Sequence, residues 1–156
     1  MKNLIVVFLL MFSLKTGTEA KNFKPVFADY CPDAIKYTSL EEALKEPEKV
    51  IKLDISMLKL TAVPPEIGKL VNLECLDVSF NRISTLPVEI ANCKKLRFID
   101  LSGTNYMSKL PQVLTQLPNL EAINISDHKF WKPAQFDEAQ KLLPKVKMIL
   151  ENEIQY

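Results

Sequence analysis

Leu73-Glu74-Cys75-Leu76-Asp77-Val78 is one of four copies of the same phrase. Val50-Ile51-Lys52-Leu53-Asp54-Ile55 precedes it, and Leu96-Arg97-Phe98-Ile99-Asp100-Leu101 and Leu120-Glu121-Ala122-Ile123-Asn124-Ile125 follow, with starts 23, 23 and 24 residues apart. The first three copies continue alike, through Val63-Pro64-Pro65-Glu66-Ile67, Leu86-Pro87-Val88-Glu89-Ile90 and Leu110-Pro111-Gln112-Val113-Leu114, and close on Leu70, Cys93 and Leu117. Aligned on eight columns, with a one-residue insertion placed after Tyr106, they fill 22 of 24 positions with apolar residues. The two exceptions, Asn81 and Thr104, share a column.

A unit of this kind has one apolar strand edge and one apolar loop edge and can bury neither alone. Stacking the units in parallel brings Leu53, Leu76, Ile99 and Ile123 together along one continuous core. Parallel strands need a crossover of about a dozen residues, which the Leu-Pro-x-x-Ile stretch supplies. Proline there fixes φ and removes a donor, so the crossover begins as a turn rather than a long helix.

The pattern L-x-x-L-x-L-x-x-N-x-L is met in full by Leu73, Leu76, Val78, Asn81 and Ile83. On these residues the chain resembles the leucine-rich-repeat family, and its Leu-Pro-x-x-Ile segments are similar to those of exported bacterial members. The resemblance implies an α/β fold: a right-handed solenoid with a parallel concave sheet of five strands, a helical N-terminal cap and a helix-plus-strand C-terminal cap. It also implies an asparagine ladder between neighbouring loops, and here the sequence departs from the family, since that column reads Leu58, Asn81, Thr104, His128. Thr104 and the adjacent Asn105 are expected to supply part of the missing bonding, and His128 to bond backbone rather than act in catalysis.

Working outward, Ser39-Leu40-Glu41-Glu42 has serine at N-cap and glutamate three residues on, a capping box, and Pro47 ends the helix expected over residues 39–46. Downstream, Pro133 opens a segment in which Phe136, Ala139, Leu142 and Leu143 recur at helical spacing until Pro144, and Val146-Lys147-Met148-Ile149 starts a last strand. Repeats are placed at 50–72, 73–95, 96–119 and 120–145, between a cap at 38–49 and a terminal strand and tail at 146–156. Together these make a leucine-rich-repeat domain over 38–156, preceded by an N-terminal segment or linker at 21–37. Residues 1–20 read as a signal peptide: Lys2 is followed by the apolar run Leu4–Leu14, too short for the ~20 residues of a spanning helix, and Thr18 and Ala20 put small residues third from last and last before a cut after Ala20.

Setting aside Lys2, Lys15 and Glu19 leaves 18 basic and 18 acidic residues. A neutral chain with interspersed charge lacks an electrostatic footprint for nucleic acid or anionic lipid. Of the three cysteines, at least one is unpaired within the chain, and a disulfide framework is not expected. Cys93 should be a small apolar core residue and Cys75 an exposed thiol.

Strand residues between the buried leucines point to the opposite face of the sheet. The ligand-binding surface expected there comprises Lys52, Asp54, Met57, Cys75, Asp77, Phe80, Phe98, Asp100 and Asn124, an apolar patch beside an acidic stripe. Phe98, mid-strand and outward, is the best single contact residue. The Asp and Ser columns have a structural account as well, because they can satisfy local backbone, and Phe80 can fold over its own turn. Trp131 and Phe130 are expected to pack into the C-terminal cap. A sheet of this size offers about 400 Å², half of the ~800 Å² per partner in a stable interface, so the loops after each strand, or a weak homodimer, must add to it.

A single histidine in a structural column leaves no Ser-His or Cys-His pair, and three scattered glycines leave no phosphate-cradling loop. Neither a cofactor nor a metal is called for. The sequence points to an exported, non-catalytic protein-binding module whose partner is a protein or cell-envelope component. The mature chain is expected to lack a membrane-spanning segment. The alternative is a structural part of an envelope complex, held as a cysteine-linked or strand-paired homodimer.

Overall fold

The computed structural model describes residues 30–150; the signal-peptide reading and most of the 21–37 segment lie outside them. Six short strands form one parallel sheet in chain order: β1 (Lys36–Tyr37), β2 (Lys52–Asp54), β3 (Cys75–Asp77), β4 (Phe98–Asp100), β5 (Ala122–Asn124) and β6 (Lys147–Ile149). The aliphatic column is in register, with Leu53 opposite Leu76, Leu76 opposite Ile99 and Ile99 opposite Ile123. All four are fully buried, so the sequence period and the pairing register are one fact. Each strand passes its last amide to the next repeat, as in Ile55 N–H to Asp77 O (2.9 Å), Val78 to Asp100 O (3.1 Å) and Leu101 to Asn124 O (2.9 Å).

The sixth strand is β1, which lies in the stretch read as linker and pairs with β2, Lys36 against Lys52 and Tyr37 against Leu53. Its two residues carry no repeat pattern, so nothing in the period announced it. After it comes helix α1 (Leu40–Ala43), shorter than the expected 39–46, with the Ser39 hydroxyl accepting the Glu42 amide at its N-terminus. Ala43 is buried and Leu40 and Leu44 pack on the first repeat. At the far end, helix α2 (Pro133–Leu142) turns Ala139 inward, and Phe136, Leu142 and Met148 pack on the last repeat.

The crossovers are 3₁₀ turns at Pro65–Lys69, Val88–Asn92 and Gln112–Gln116, each preceded or opened by proline in extended or turn conformation. Their stacking is tight. A Cβ on Gly68 would stand 2.6 Å from the carbonyl oxygen of Glu89 in the next turn, a backbone atom that cannot yield without shifting the repeat.

One register detail differs from the sequence alignment. Met107, not Tyr106, occupies the buried column and is fully enclosed, while Tyr106 is 64% exposed. The fourth repeat has the same insertion: Trp131 is buried and donates its indole N–H to Met107 O (2.6 Å), whereas Phe130 is 75% exposed and does not pack into the C-terminal end. Both residues of each pair are apolar, so hydrophobicity alone could not choose between them.

Candidate functional site: the outward sheet face and the strand-exit loops

The outward face of the sheet is set by the pleat. Each buried aliphatic residue is flanked by one residue before and one after it that point away from the core, giving the rows Lys52, Cys75, Phe98, Ala122 and Asp54, Asp77, Asp100, Asn124. The orientation expected for these side chains holds, but the openness of the face does not.

The first row is covered by the chain's own N-terminal segment. Cys31 is disulfide-bonded to Cys75, 44 residues away in sequence, so Cys75 is not an exposed thiol. Tyr30 stacks on Phe98 with ring centroids 4.5 Å apart and planes 11° from parallel, and the Lys52 ammonium donates to Cys31 O at 3.0 Å. Cys31, Cys75, Phe98 and Ala122 form a second apolar cluster with Tyr30, Ala34 and Ile149 against it. Phe98 is 0% exposed; an aromatic that would otherwise stand in water is instead the centre of a small core on the far side of the sheet. The remaining cysteine, Cys93, is buried in the main core as expected, its thiol pushed up to about 11 by burial. Among the described residues no thiol is therefore available to link two copies.

The second row is tied to its own backbone. The Asp54 Oδ1 accepts the Ser56 amide (3.2 Å) and hydroxyl (2.7 Å), Asp77 Oδ1 accepts the Ser79 amide (2.9 Å), and Asp100 Oδ1 accepts the Ser102 amide (2.9 Å) and hydroxyl (2.7 Å). Asn124 repeats the motif, accepting from Ser126 N–H (3.0 Å), and its amide donates back to Asp100 Oδ2 (3.0 Å). These bonds order the turn that follows each strand. Burial pushes Asp77 up to about 6 against the Ser79 bonds, with the Asp100 charge adding to the rise. Burial raises Asp100 as well, opposed by Ser102 and Asn124. At Asp54 burial works in the same direction, but bonds from Ser56 and from Lys36 (3.1 Å) outweigh it and hold the carboxyl below its usual range.

The loops leaving the strands are open. Met57, Phe80, Gly103 and Asp127 occupy one column, and all four have positive φ (58°, 52°, 64° and 59°), the left-handed region that suits glycine and costs other L-residues roughly 1–2 kcal/mol. Met57 is 72% and Phe80 51% exposed. Phe80 leans on Gly103, where an added Cβ would meet its ring at 2.6 Å, so the ring lies over the neighbouring loop and closes no core. Leu58 beside them is exposed too. Of the nine expected contact residues, Met57 and Phe80 are thus presented to solvent, Asp54 and Asp77 are half-buried, and Lys52, Cys75, Phe98, Asp100 and Asn124 are buried.

The loops hold this shape through a substituted ladder. Asn81 makes the full set, donating to Ile55 O (2.8 Å) and Val78 O (2.9 Å) and accepting the Leu60 amide (3.0 Å). One repeat on, Thr104 donates to Leu101 O (2.6 Å) while Asn105 accepts the Lys129 amide (2.8 Å). His128 Nε2 lies 3.1 Å from Leu101 O, and burial lowers its pKa, so the ring is a neutral rung in the ladder. At the other edge Asn72 donates to Glu48 O, just ahead of the first repeat, and Asn119 to Lys94 O of the preceding repeat, each at 2.7 Å.

Residues 71–114 match the family described as leucine-rich repeats in two copies. Four sequence copies stack in one parallel register, and the two that fall largely within residues 71–114 match leucine-rich repeats. No curated protein matches the sequence significantly. Among the solved structures that do match, a leucine-rich-repeat protein of Leptospira interrogans is 24% identical with a TM-score of 0.46, the match covering 75% of this chain and 35% of that one. The chain thus spans about a third of that protein's length. Among the described residues no helix is long and apolar enough to cross a membrane, and no group of three or more His, Cys, Asp or Glu side chains is placed to hold a metal.

The sequence reading missed Tyr106 and Phe130 as surface aromatics. The extra residue in the 24-residue third repeat was the available signal, since an insertion must bulge toward solvent when the column beside it is already filled.

Proposed function

We propose that this chain is an exported, non-catalytic protein-binding module that recognises its partner through the strand-exit loops of the early repeats, with Met57 and Phe80 as anchors and Asp54 and Asp77 at their rim. The observation that carries this reading is the positive-φ column. Gly103 occupies that conformation without strain, yet the same position in the first two repeats holds Met57 and Phe80, large apolar side chains that accept the strain and remain in water. Exposed aromatic and Met side chains on ordered backbone are favoured anchors at protein interfaces. The buried members of the row, Lys52, Cys75, Phe98, Asp100 and Asn124, support the loops from behind. Helices α1 and α2, with β1 and β6, serve as caps that close the two ends of the stack.

Export is supported by the apolar leader and by the Cys31–Cys75 bond, since disulfides persist in oxidising compartments and are rare in reducing ones. The test is capture from an envelope extract of the source cells by the immobilised protein. Wild type should enrich a defined partner that Met57→Ser/Phe80→Ser loses while Tyr106→Ser/Phe130→Ser keeps. Equal enrichment by all three proteins removes the early exit loops as the binding surface.

A further inference from the structure

The third and fourth exit loops differ from the first two in a way the repeat does not require. Each carries one extra residue, and in each the extra residue is an aromatic held in water, Tyr106 and Phe130, while its neighbour Met107 or Trp131 fills the core. The two loops are stitched into one rigid platform: Asn105 accepts the Lys129 amide at 2.8 Å, Trp131 Nε1 donates to Met107 O at 2.6 Å, and Gln135 Nε2 donates to Ser108 O at 2.9 Å. Lys109, Lys129 and Lys132 stand exposed on the same two loops. Among the described residues none of the three forms an ion pair. The two loops themselves hold one acid, Asp127, with Asp137 and Glu138 exposed further along α2, and His128 is buried with its charged form disfavoured. In a chain that is nearly neutral overall, the two loops themselves carry three lysines to one aspartate around two projecting rings.

We propose that this double loop docks peripherally on an anionic lipid surface, with Tyr106 and Phe130 entering the headgroup boundary and the three lysines meeting lipid phosphates. Aromatic rings with flanking lysines are the composition of interfacial anchors. The site is separate from Met57 and Phe80, so the two readings stand or fall apart.

The experiment is flotation of the protein, as secreted by a bacterial host, with vesicles of phosphatidylcholine alone or mixed equally with phosphatidylglycerol. Binding is expected to the mixed vesicles only and to fall with added salt. Lys109→Gln/Lys129→Gln/Lys132→Gln should weaken it about 100-fold, from ~1 kcal/mol per lysine near an anionic surface, and Tyr106→Ser/Phe130→Ser should abolish it. Unchanged thermal melts would establish that both variants fold, as expected for exposed positions. Three results overturn the proposal: no binding to mixed vesicles, equal binding to both vesicle types, or variants that float like wild type. Retention of the protein on immobilised polyglutamate without vesicle binding also overturns it, assigning the lysines to an acidic polypeptide instead.

Discussion

Phe98 and Phe80 begin from similar positions and end in opposite environments. Both are phenylalanines on the outward side of neighbouring repeats, one in a strand and one in the loop after it, and sequence position alone makes Phe98 the better candidate for a contact. In the folded chain Phe98 is sealed beneath Tyr30 and the Cys31–Cys75 bond, while Phe80 stands half in water over Gly103. Which way a side chain points follows from the pleat. Whether it is free follows from what the rest of the chain lays over it, and here that is a segment whose anchor lies 44 residues before its partner cysteine.

The largest expected effect comes from cutting the two rings back. Phe98→Ala should cost about 3–5 kcal/mol, the range for emptying a buried aromatic site. Phe80→Ala should stay within about 0.5 kcal/mol, as for other surface changes. Urea denaturation measures both, and comparable losses would mean that Phe98 is not enclosed. Next in size is the cross-link. Closing a 44-residue loop is worth about 4 kcal/mol in the chain-entropy account, with measured bridges spread over roughly 2–5 kcal/mol. Cys31→Ser/Cys75→Ser should therefore lower the melting temperature markedly, and reductant should have no further effect on that variant.

The smallest effect lies in the Asp row and carries a sign. Asp77 has a folded pKa of about 6, above its unfolded value, so the folded state holds its proton more tightly. The resulting stabilisation is present at low pH and is lost as pH rises through about 6. Asp54, held below its usual range, works in the opposite direction, with a contribution that disappears on acidification. The difference between wild type and Asp77→Asn isolates the first. The variant should be more stable at neutral pH, on the order of 1 kcal/mol after solvent screening, with the gap closing toward pH 4. Asn124 already shows the geometry available to an amide in this row, donating to Asp100 at 3.0 Å. A gap that does not change with pH would remove Asp77 as its source.

Much of this architecture was legible because a repeat reports its own register: the column Leu53, Leu76, Ile99, Ile123 in sequence is the ladder in space. The site was harder to read for two physical reasons. Tyr30, Cys31 and Lys36 lie outside the period, so no neighbour's pattern predicts where they pack, and the bond from Cys31 to Cys75 depends on a proximity that only the folded chain creates. Tyr106 and Met107 are both apolar, and the choice of which to bury is made by the packing of Trp131 on Met107 O, two repeats' worth of geometry rather than one residue's hydropathy. The serine and aspartate columns, by contrast, could be read locally because their bonds span two residues.

The closure of the sheet's outward face by the N-terminal segment decides where a partner can bind, and cysteine mapping tests it most directly. The native protein is alkylated without reductant, then unfolded, alkylated with a second reagent and digested. One cross-linked pair containing Cys31 and Cys75 should appear, with Cys93 labelled only after unfolding. Native-state labelling of Cys75, or a bridge that includes Cys93, would contradict the account and return Phe98 to the open surface.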